Sequence, residues 1–148
     1  QAIAGDPALL IVDEPTAGLD PEERVRFYRL LAELAEDRVV LLSTHIVEDV
    51  AVLCPRLAVV RRGRLLAATT PAEARAELEG TVFEGEVAPA VLETLSSPAR
   101  VLSRYLVEGR HRARLHCPGL APPEGFVAVR PSLEDAYLLW VARAAEVA

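Results

Sequence analysis

The stretch Leu9-Leu10-Ile11-Val12-Asp13-Glu14-Pro15-Thr16-Ala17-Gly18-Leu19-Asp20-Pro21 decides the fold class of this 148-residue chain. Four aliphatic residues followed at once by two acids predict a buried parallel strand that ends in carboxylates. Open α/β sheets bind their ligands at the carboxyl ends of such strands. An aspartate there can hold the hydrated magnesium ion of a nucleotide, and a second acid can accept a proton from an attacking water. The alternative is a core strand that ends in two solvated acids.

The residues after this stretch predict a parallel sheet. A helix is expected from about Pro21 to Glu36, because proline suits the first helical position and acids favour the first turn. A second buried strand is predicted at Val39–Leu42, and Ser43-Thr44-His45 follow it. Thr44 is expected to cap a short helix over about Ile46 to Leu53. Strand, helix and strand in this order form one crossover unit of a parallel sheet. The sequence therefore predicts an α/β fold with polar residues at two neighbouring strand ends.

The opening stretch resembles the Walker B and D-loop segment of ATP-binding-cassette ATPases, and the resemblance extends over about residues 1–79. It implies part of a P-loop NTPase fold that binds ATP and Mg²⁺. The family position matching Asp13 is the magnesium ligand, acting through a bound water, and the position matching Glu14 is the general base. His45 lies 32 residues after Asp13 and matches the family's switch histidine, which contacts the γ-phosphate.

Asp20 has two compatible interpretations. With Pro21 at the first helical position and Glu23 three residues on, it is expected to cap the helix in a capping box. In the family, the matching aspartate belongs to the D-loop, which meets the partner subunit near the second nucleotide site. We therefore also assign Asp20 to the cofactor-binding residues.

The phosphate-binding half of such a site is missing from the sequence. A phosphate-cradling loop of this ATPase class ends in Gly-Lys-Ser/Thr, yet all 16 basic residues here are arginine. The family's signature loop, which precedes the Walker B strand, is missing as well. We expect the chain to be the downstream part of a longer protein and to be inactive as an ATPase on its own.

The sequence pattern changes after Gly80, where we predict a domain boundary that separates residues 1–80 from 81–148. A short helix over Pro89–Leu95, four strands and a closing helix from Pro131 to Ala145 predict a small α+β domain of ferredoxin-like character. The predicted strands are Thr81–Val87, Arg100–Val107, Arg110–Cys117 and Phe126–Arg130. Leu133, Tyr137 and Trp140 are expected to form the stripe that docks the closing helix on the sheet.

The closing segment Pro131–Leu138 resembles the final motif of ATP-binding subunits that serve export-type (ABC-2) transporters. This resemblance implies two partners, a transmembrane permease subunit and a second ATPase subunit in a head-to-tail dimer. It also implies a cytoplasmic location at the inner face of the cell membrane. No apolar run approaches the roughly 18 residues that a membrane-spanning helix needs.

Two other functions are considered. One is a nucleic-acid-associated ATPase of the same superfamily, which the net charge of −6 does not favour. Arg110, Arg112 and Arg114 alternate with other residues as the solvated face of an antiparallel sheet would, so a solvated face or a protein-partner contact is expected there and no nucleic-acid partner. The other is a non-enzymatic fragment that binds a partner or dimerises. Cys54 and Cys117 lack metal-ligand spacing and are expected to be reduced thiols.

Overall fold

The computed structural model describes residues 5–88, 92, 95 and 97–146. The chain divides into two compact units, Gln1–Pro55 and Arg56–Ala148. None of the helices in these described ranges combines the length and the apolar character that crossing a membrane requires.

From residue 5 onward, the first unit contains two strands and two helices in alternation. They are β1 (Leu9–Asp13), α1 (Pro21–Leu34), β2 (Val39–Ser43) and α2 (Val47–Leu53). β1 and β2 pair in parallel, in a register that runs from Leu9 opposite Val39 to Asp13 opposite Ser43. The predicted parallel pairing is confirmed, and its register brings the carboxyl ends of both strands to one edge of the sheet.

The prediction that β1 and β2 are buried strands is wrong for one face of their sheet. Four aliphatic side chains on this face are more than half exposed. They are Leu9 at 51%, Ile11 at 65%, Val39 at 65% and Leu41 at 56%. Side chains alternate between the two faces of a strand, and the intervening Leu10 is buried. The described elements of the unit therefore cover one face of the sheet and leave the other open, whereas parallel sheets normally have both faces covered.

In the described residues of the second unit there are six strands and two helices with assigned bounds. They are β3 (Leu57–Arg61), β4 (Arg64–Thr69), α3 (Pro71–Ala76), β5 (Val82–Glu86), β6 (Arg100–Val107), β7 (Arg110–His116), β8 (Phe126–Ala128) and α4 (Leu133–Glu146). β3 and β4 form an antiparallel hairpin, with Gly63 at φ 73° in its turn. The other four strands form an antiparallel sheet in the order β6-β7-β5-β8.

The domain boundary predicted near Gly80 falls inside the second unit. The hairpin strand β4 and helix α3 both pack against the closing helix α4, so these elements belong to one compact body. The ferredoxin-like character of the C-terminal sheet is not established. Its closing helix follows the fourth strand, and most of the predicted helix Pro89–Leu95 lies outside the described residues.

The two faces of the four-stranded sheet differ in chemistry. One face is apolar and buries Ala113 and Leu115 of β7, Cys117 directly after it, Leu92 and Phe126. The alternate residues of β7 are Arg112, Arg114 and His116, and they lie on the opposite face. The sheet is therefore apolar on one side and charged on the other.

The prediction that these arginines form a solvated face is wrong for Arg112 and Arg114. Arg114 donates to both carboxylate oxygens of Asp135 on α4, at 2.9 and 2.7 Å, and to Glu84 at 2.9 Å. Arg112 lies 2.9 Å from the same Glu84. Asp135 is only 2% exposed. Helix α4 is therefore joined to the sheet by a largely buried network of ion pairs. The burial of these charges is tolerated because each has a partner of opposite sign.

The stripe predicted for the closing helix is partly wrong as well. Leu133 is buried as expected, but Tyr137 and Trp140 are only half-buried. The other buried apolar side chains of α4 are Ala136 and Leu139. Leu133, Ala136 and Leu139 recur every third residue and define the helix face that packs inward.

Gly85 on β5 makes a steric prediction possible. A Cβ placed there would lie 2.7 Å from the carbonyl oxygen of Gly125 and 2.9 Å from Cγ of Phe126. We expect Gly85→Ala to destabilise the second unit by about 1–3 kcal/mol, because the backbone beside β8 must move. Urea unfolding followed by Trp140 fluorescence measures this. Gly5→Ala is the control, since a Cβ at Gly5 meets nothing within 4 Å; equal midpoints for both variants would contradict the prediction.

His116 predicts a pH dependence of stability. The residue is 4% exposed and its Nδ1 atom has no hydrogen-bond partner among the described residues. Burial, together with the positive charges of Arg143 and Arg100, lowers its pKa below the ordinary 6.5. The unfolded chain therefore binds a proton that the folded chain rejects, and stability is lost as pH falls below about 6.5.

We expect the free energy of unfolding of the wild-type chain to decrease between pH 7.5 and pH 5.5, by an amount that His116→Gln removes. Urea unfolding at the two pH values measures both proteins. The exposed His111 on the same strand provides the control variant, His111→Gln, which should keep the pH dependence. Identical pH profiles for the wild type and His116→Gln would contradict the assignment.

Candidate functional site

The polar residues at the ends of β1 and β2 form one hydrogen-bonded group. The carboxylate of Glu14 accepts the backbone N–H of His45 at 2.9 Å and lies 2.7 Å from the Nδ1 atom of the same histidine. The Thr44 hydroxyl donates to Glu14 at 3.4 Å. Two residues separated by 31 positions are thus brought together, as parallel strand ends should be.

Glu14 also has an unusual backbone conformation. Its φ angle is 45°, in the left-handed region that non-glycine residues seldom adopt. Its N–H donates to the carbonyl of Ser43 at 2.8 Å, and its own carbonyl accepts the N–H of Ala17 at 3.2 Å. A strained residue persists only where its surroundings determine its conformation, and such residues cluster at functional sites. The chain therefore turns sharply after Asp13, while Glu14 stays fixed at the sheet edge.

Asp13 lies on β1 directly opposite Ser43 and accepts a hydrogen bond from the Ser43 hydroxyl. Its side chain is exposed. Carboxylate and hydroxyl oxygens are hard ligands that suit Mg²⁺, which usually takes one or two protein groups and completes its shell with water and phosphate. In the described part of the chain, no three His, Cys, Asp or Glu residues are grouped to hold a metal unaided. Asp13 and Ser43 fit a magnesium ion that is mainly held by water and substrate.

Asp20 lies apart from this group, at the start of α1. Its Oδ1 accepts the N–H of Glu23 at 2.8 Å, while the Glu23 side chain accepts the N–H of Asp20 at 3.2 Å. Pro21 occupies the first helical turn. The predicted capping box is confirmed. A cofactor-binding role for Asp20 stays a prediction.

A second hydrogen-bonded group lies behind the strand ends and was not predicted from the sequence. Asp49 on α2 is fully buried, and each of its carboxylate oxygens accepts one hydroxyl. The Thr16 hydroxyl donates to Oδ2, and the Tyr28 hydroxyl donates to Oδ1 at 2.5 Å. Thr16, itself fully buried, belongs to the loop after Glu14, and Tyr28 belongs to α1. Asp49 therefore joins three segments of the first unit.

The sequence carried a weak signal for this second group. Asp49 follows His45 by four residues and lies next to Glu48 on a short helix in which the other five residues are apolar. Thr16 lies inside the opening stretch itself. Thr44, expected to cap α2, does not do so: the N-cap is Ile46, whose N–H donates to the Thr44 hydroxyl at 3.0 Å. Thr44 instead closes the turn that precedes the helix.

Comparisons with known proteins bear on the family of this chain. A family profile described as "AAA domain, putative AbiEii toxin, Type IV TA system" matches residues 2–48. A relative named Nod factor export ATP-binding protein I, from a Rhizobium species, is 35% identical over 162 aligned residues that cover 99% of this chain. The chain belongs to the ATP-binding-cassette ATPases. The predicted resemblance is thus confirmed.

Two further relatives match shorter parts of this chain. The Nod factor export ATP-binding protein I of Rhizobium johnstonii is 47% identical over 72 residues, which cover 48% of this chain and 23% of that protein. The human protein ATP-binding cassette sub-family A member 9 is 47% identical over 64 residues, which cover 43% of this chain and 4% of that protein. The chain thus spans only part of its relatives: the alignment that covers 99% of this chain covers 51% of the Rhizobium protein.

The half-buried Tyr28 beside Asp49 gives a test of the second group. Burial, and then the hydrogen bond to the negative Asp49, raise the pKa of Tyr28 to about 12. We expect Asp49→Asn to lower this pKa towards 10.0, because the charge that opposes phenolate formation is removed. NMR titration of the Tyr28 ring carbons measures it. Glu48→Gln, the neighbouring substitution, removes only a weak charge effect and is the control; an unchanged Tyr28 pKa in Asp49→Asn would refute the arrangement.

Proposed function

We propose that this chain supplies the acidic edge of the nucleotide site in the ATP-hydrolysing subunit of an export-type ABC transporter. The observation that carries the proposal is the pairing of Glu14 with His45 at the ends of two adjacent parallel strands, at 2.7 Å. Family membership supports ATP as the nucleotide, and the relatives named as export ATP-binding proteins support export.

In this proposal Glu14 is the general base. Its carboxylate accepts the proton of the attacking water, and the hydrogen bonds from His45 and Thr44 hold it in the orientation that this transfer needs. His45 donates through Nδ1 to Glu14, so its Nε2 atom stays available for a second partner, which we assign to the γ-phosphate. Asp13 and Ser43 would hold Mg²⁺ through its water shell, and the ion would neutralise charge that develops on the phosphates.

The phosphate-binding groups must come from outside this sequence, which has no lysine and no glycine-rich phosphate loop. We therefore propose that the isolated chain does not turn over ATP. The acidic strand ends and the histidine all fall within residues 1–80. The proposed role of residues 81–148 is accessory: this region tunes the ATPase or docks a partner without contacting the nucleotide.

The proposed partners follow from the same assignment. A transmembrane permease subunit would form the export path, and a second ATPase subunit would close head-to-tail against this one, with Asp20 near the shared interface. The site would work at the cytoplasmic face of the membrane. Closure of the two subunits would drive the permease, and hydrolysis would reset it.

The proposal is tested by Glu14→Gln in an ATPase-competent protein that carries this sequence. We expect ATP binding to persist and turnover to fall by roughly 100- to 10,000-fold, because the amide keeps the shape of the side chain but accepts no proton. Stopped-flow hydrolysis and nucleotide binding, measured on the same preparation, separate the two effects.

The matched control is Glu22→Gln, an exposed acid on α1 that pairs only with Arg26 among the described residues. This variant should hydrolyse ATP at the wild-type rate. Wild-type turnover by Glu14→Gln would show that Glu14 is not the base and would remove the central assignment of the proposal.

A further inference from the structure

The carboxylate of Asp49 is the most deeply buried acidic group of the first unit, and the proposed chemistry does not use it. Its exposed fraction is 0%, and its recorded partners in the described ranges are the hydroxyls of Thr16 and Tyr28. Burial of a carboxylate away from water is unfavourable unless hydrogen bonds offset the loss of hydration. An apolar residue would fill this position without that penalty. The presence of a carboxylate here therefore needs an explanation, and its two hydrogen bonds provide one.

The loop that follows Glu14 shows what these bonds hold. Two consecutive turns shape it: Ala17 N–H donates to the Glu14 carbonyl, and Leu19 N–H donates to the Thr16 carbonyl, both at 3.2 Å. Thr16 lies in the middle of these turns, and its side chain is anchored to Asp49. Glu14 is thus fixed from two sides, by the end of β2 through Ser43 and by α2 through Thr16.

The same helix follows His45 directly. Asp49 N–H donates to the Ile46 carbonyl at 3.2 Å, in the turn that starts α2 immediately after His45. A shift of α2 relative to the Glu14 loop would therefore separate the two members of the 2.7 Å pair. The Asp49 carboxylate ties the loop that carries Glu14 to the helix that follows His45.

We propose that Asp49 is a positioning residue, which acts through Thr16 and Tyr28 to keep Glu14 against His45. Its catalytic meaning depends on the function proposed above. Asp49 has no hydrogen bond of its own to Glu14 or His45 in the described structure, so its effect on turnover is indirect. Misplacement of a reacting group by about 1 Å can reduce rates by roughly 100-fold.

The test compares Thr16→Val with Thr16→Ser. Valine keeps the volume and removes the hydroxyl that donates to Asp49, whereas serine keeps the hydroxyl. In the 148-residue chain we expect faster hydrogen exchange of the Glu14 and His45 amides in Thr16→Val and near-normal exchange in Thr16→Ser. In an ATPase-competent protein that carries this sequence, Thr16→Val should lower kcat by roughly 10- to 100-fold and leave KM for ATP nearly unchanged. Thr16→Ser should restore kcat.

Two controls separate positioning from general destabilisation. Leu31→Ala removes a buried side chain of α1 and should lower the melting temperature without lowering kcat at a temperature where the protein is folded. Glu14→Gln reports on the proposed function. Inactive Glu14→Gln together with a wild-type kcat in Thr16→Val would overturn the positioning role alone. Active Glu14→Gln would overturn the proposed function. The amide exchange would still decide whether Asp49 holds the loop, because equal exchange in Thr16→Val and Thr16→Ser would refute that role.

Discussion

The parallel pairing of β1 with β2 is the constraint on which the candidate site depends. In this register Asp13 faces Ser43, so the residues that follow each strand meet at one edge. Glu14 can reach His45 only because both strands end together and the chain turns sharply after Asp13. An antiparallel arrangement would send one of these segments to the opposite edge. The parallel direction of the two strands is thus the first requirement for the site, and the identity of the side chains is the second.

Around this pairing, the first unit builds two hydrogen-bonded groups with different surroundings. The group at the edge, Glu14 with His45, is open to solvent, and the histidine side chain is 75% exposed. The group behind it, centred on Asp49, is fully buried. Solvent access suits residues that must meet a substrate and a water, whereas burial suits residues that only hold others in place. The roles that we propose follow this difference: Glu14 and His45 contact the substrate, and Asp49 positions Glu14.

Much of this arrangement could be predicted from the sequence, because it depends on local patterns. Aliphatic runs that end in polar residues predicted β1 and β2, and the Asp20–Glu23 spacing predicted the helix cap. The buried Asp49 group could not be predicted, because its partners are 21 and 33 residues away and no periodicity connects them. The ion network of Arg114 escaped prediction for a similar reason. Alternating charges indicate a solvated face unless a distant acid such as Asp135 is known to cover them.

The open aliphatic face of the first unit has a thermodynamic consequence. Between half and two thirds of the surface of Leu9, Ile11, Val39 and Leu41 is exposed. Covering them would contribute on the order of 3–6 kcal/mol, at the usual gain per aliphatic side chain. That is comparable to the entire stability of many small domains, about 5–15 kcal/mol. The stability of this unit therefore depends on whether that face is covered: a melting temperature measured with the face open is a lower limit for the same residues with the face covered.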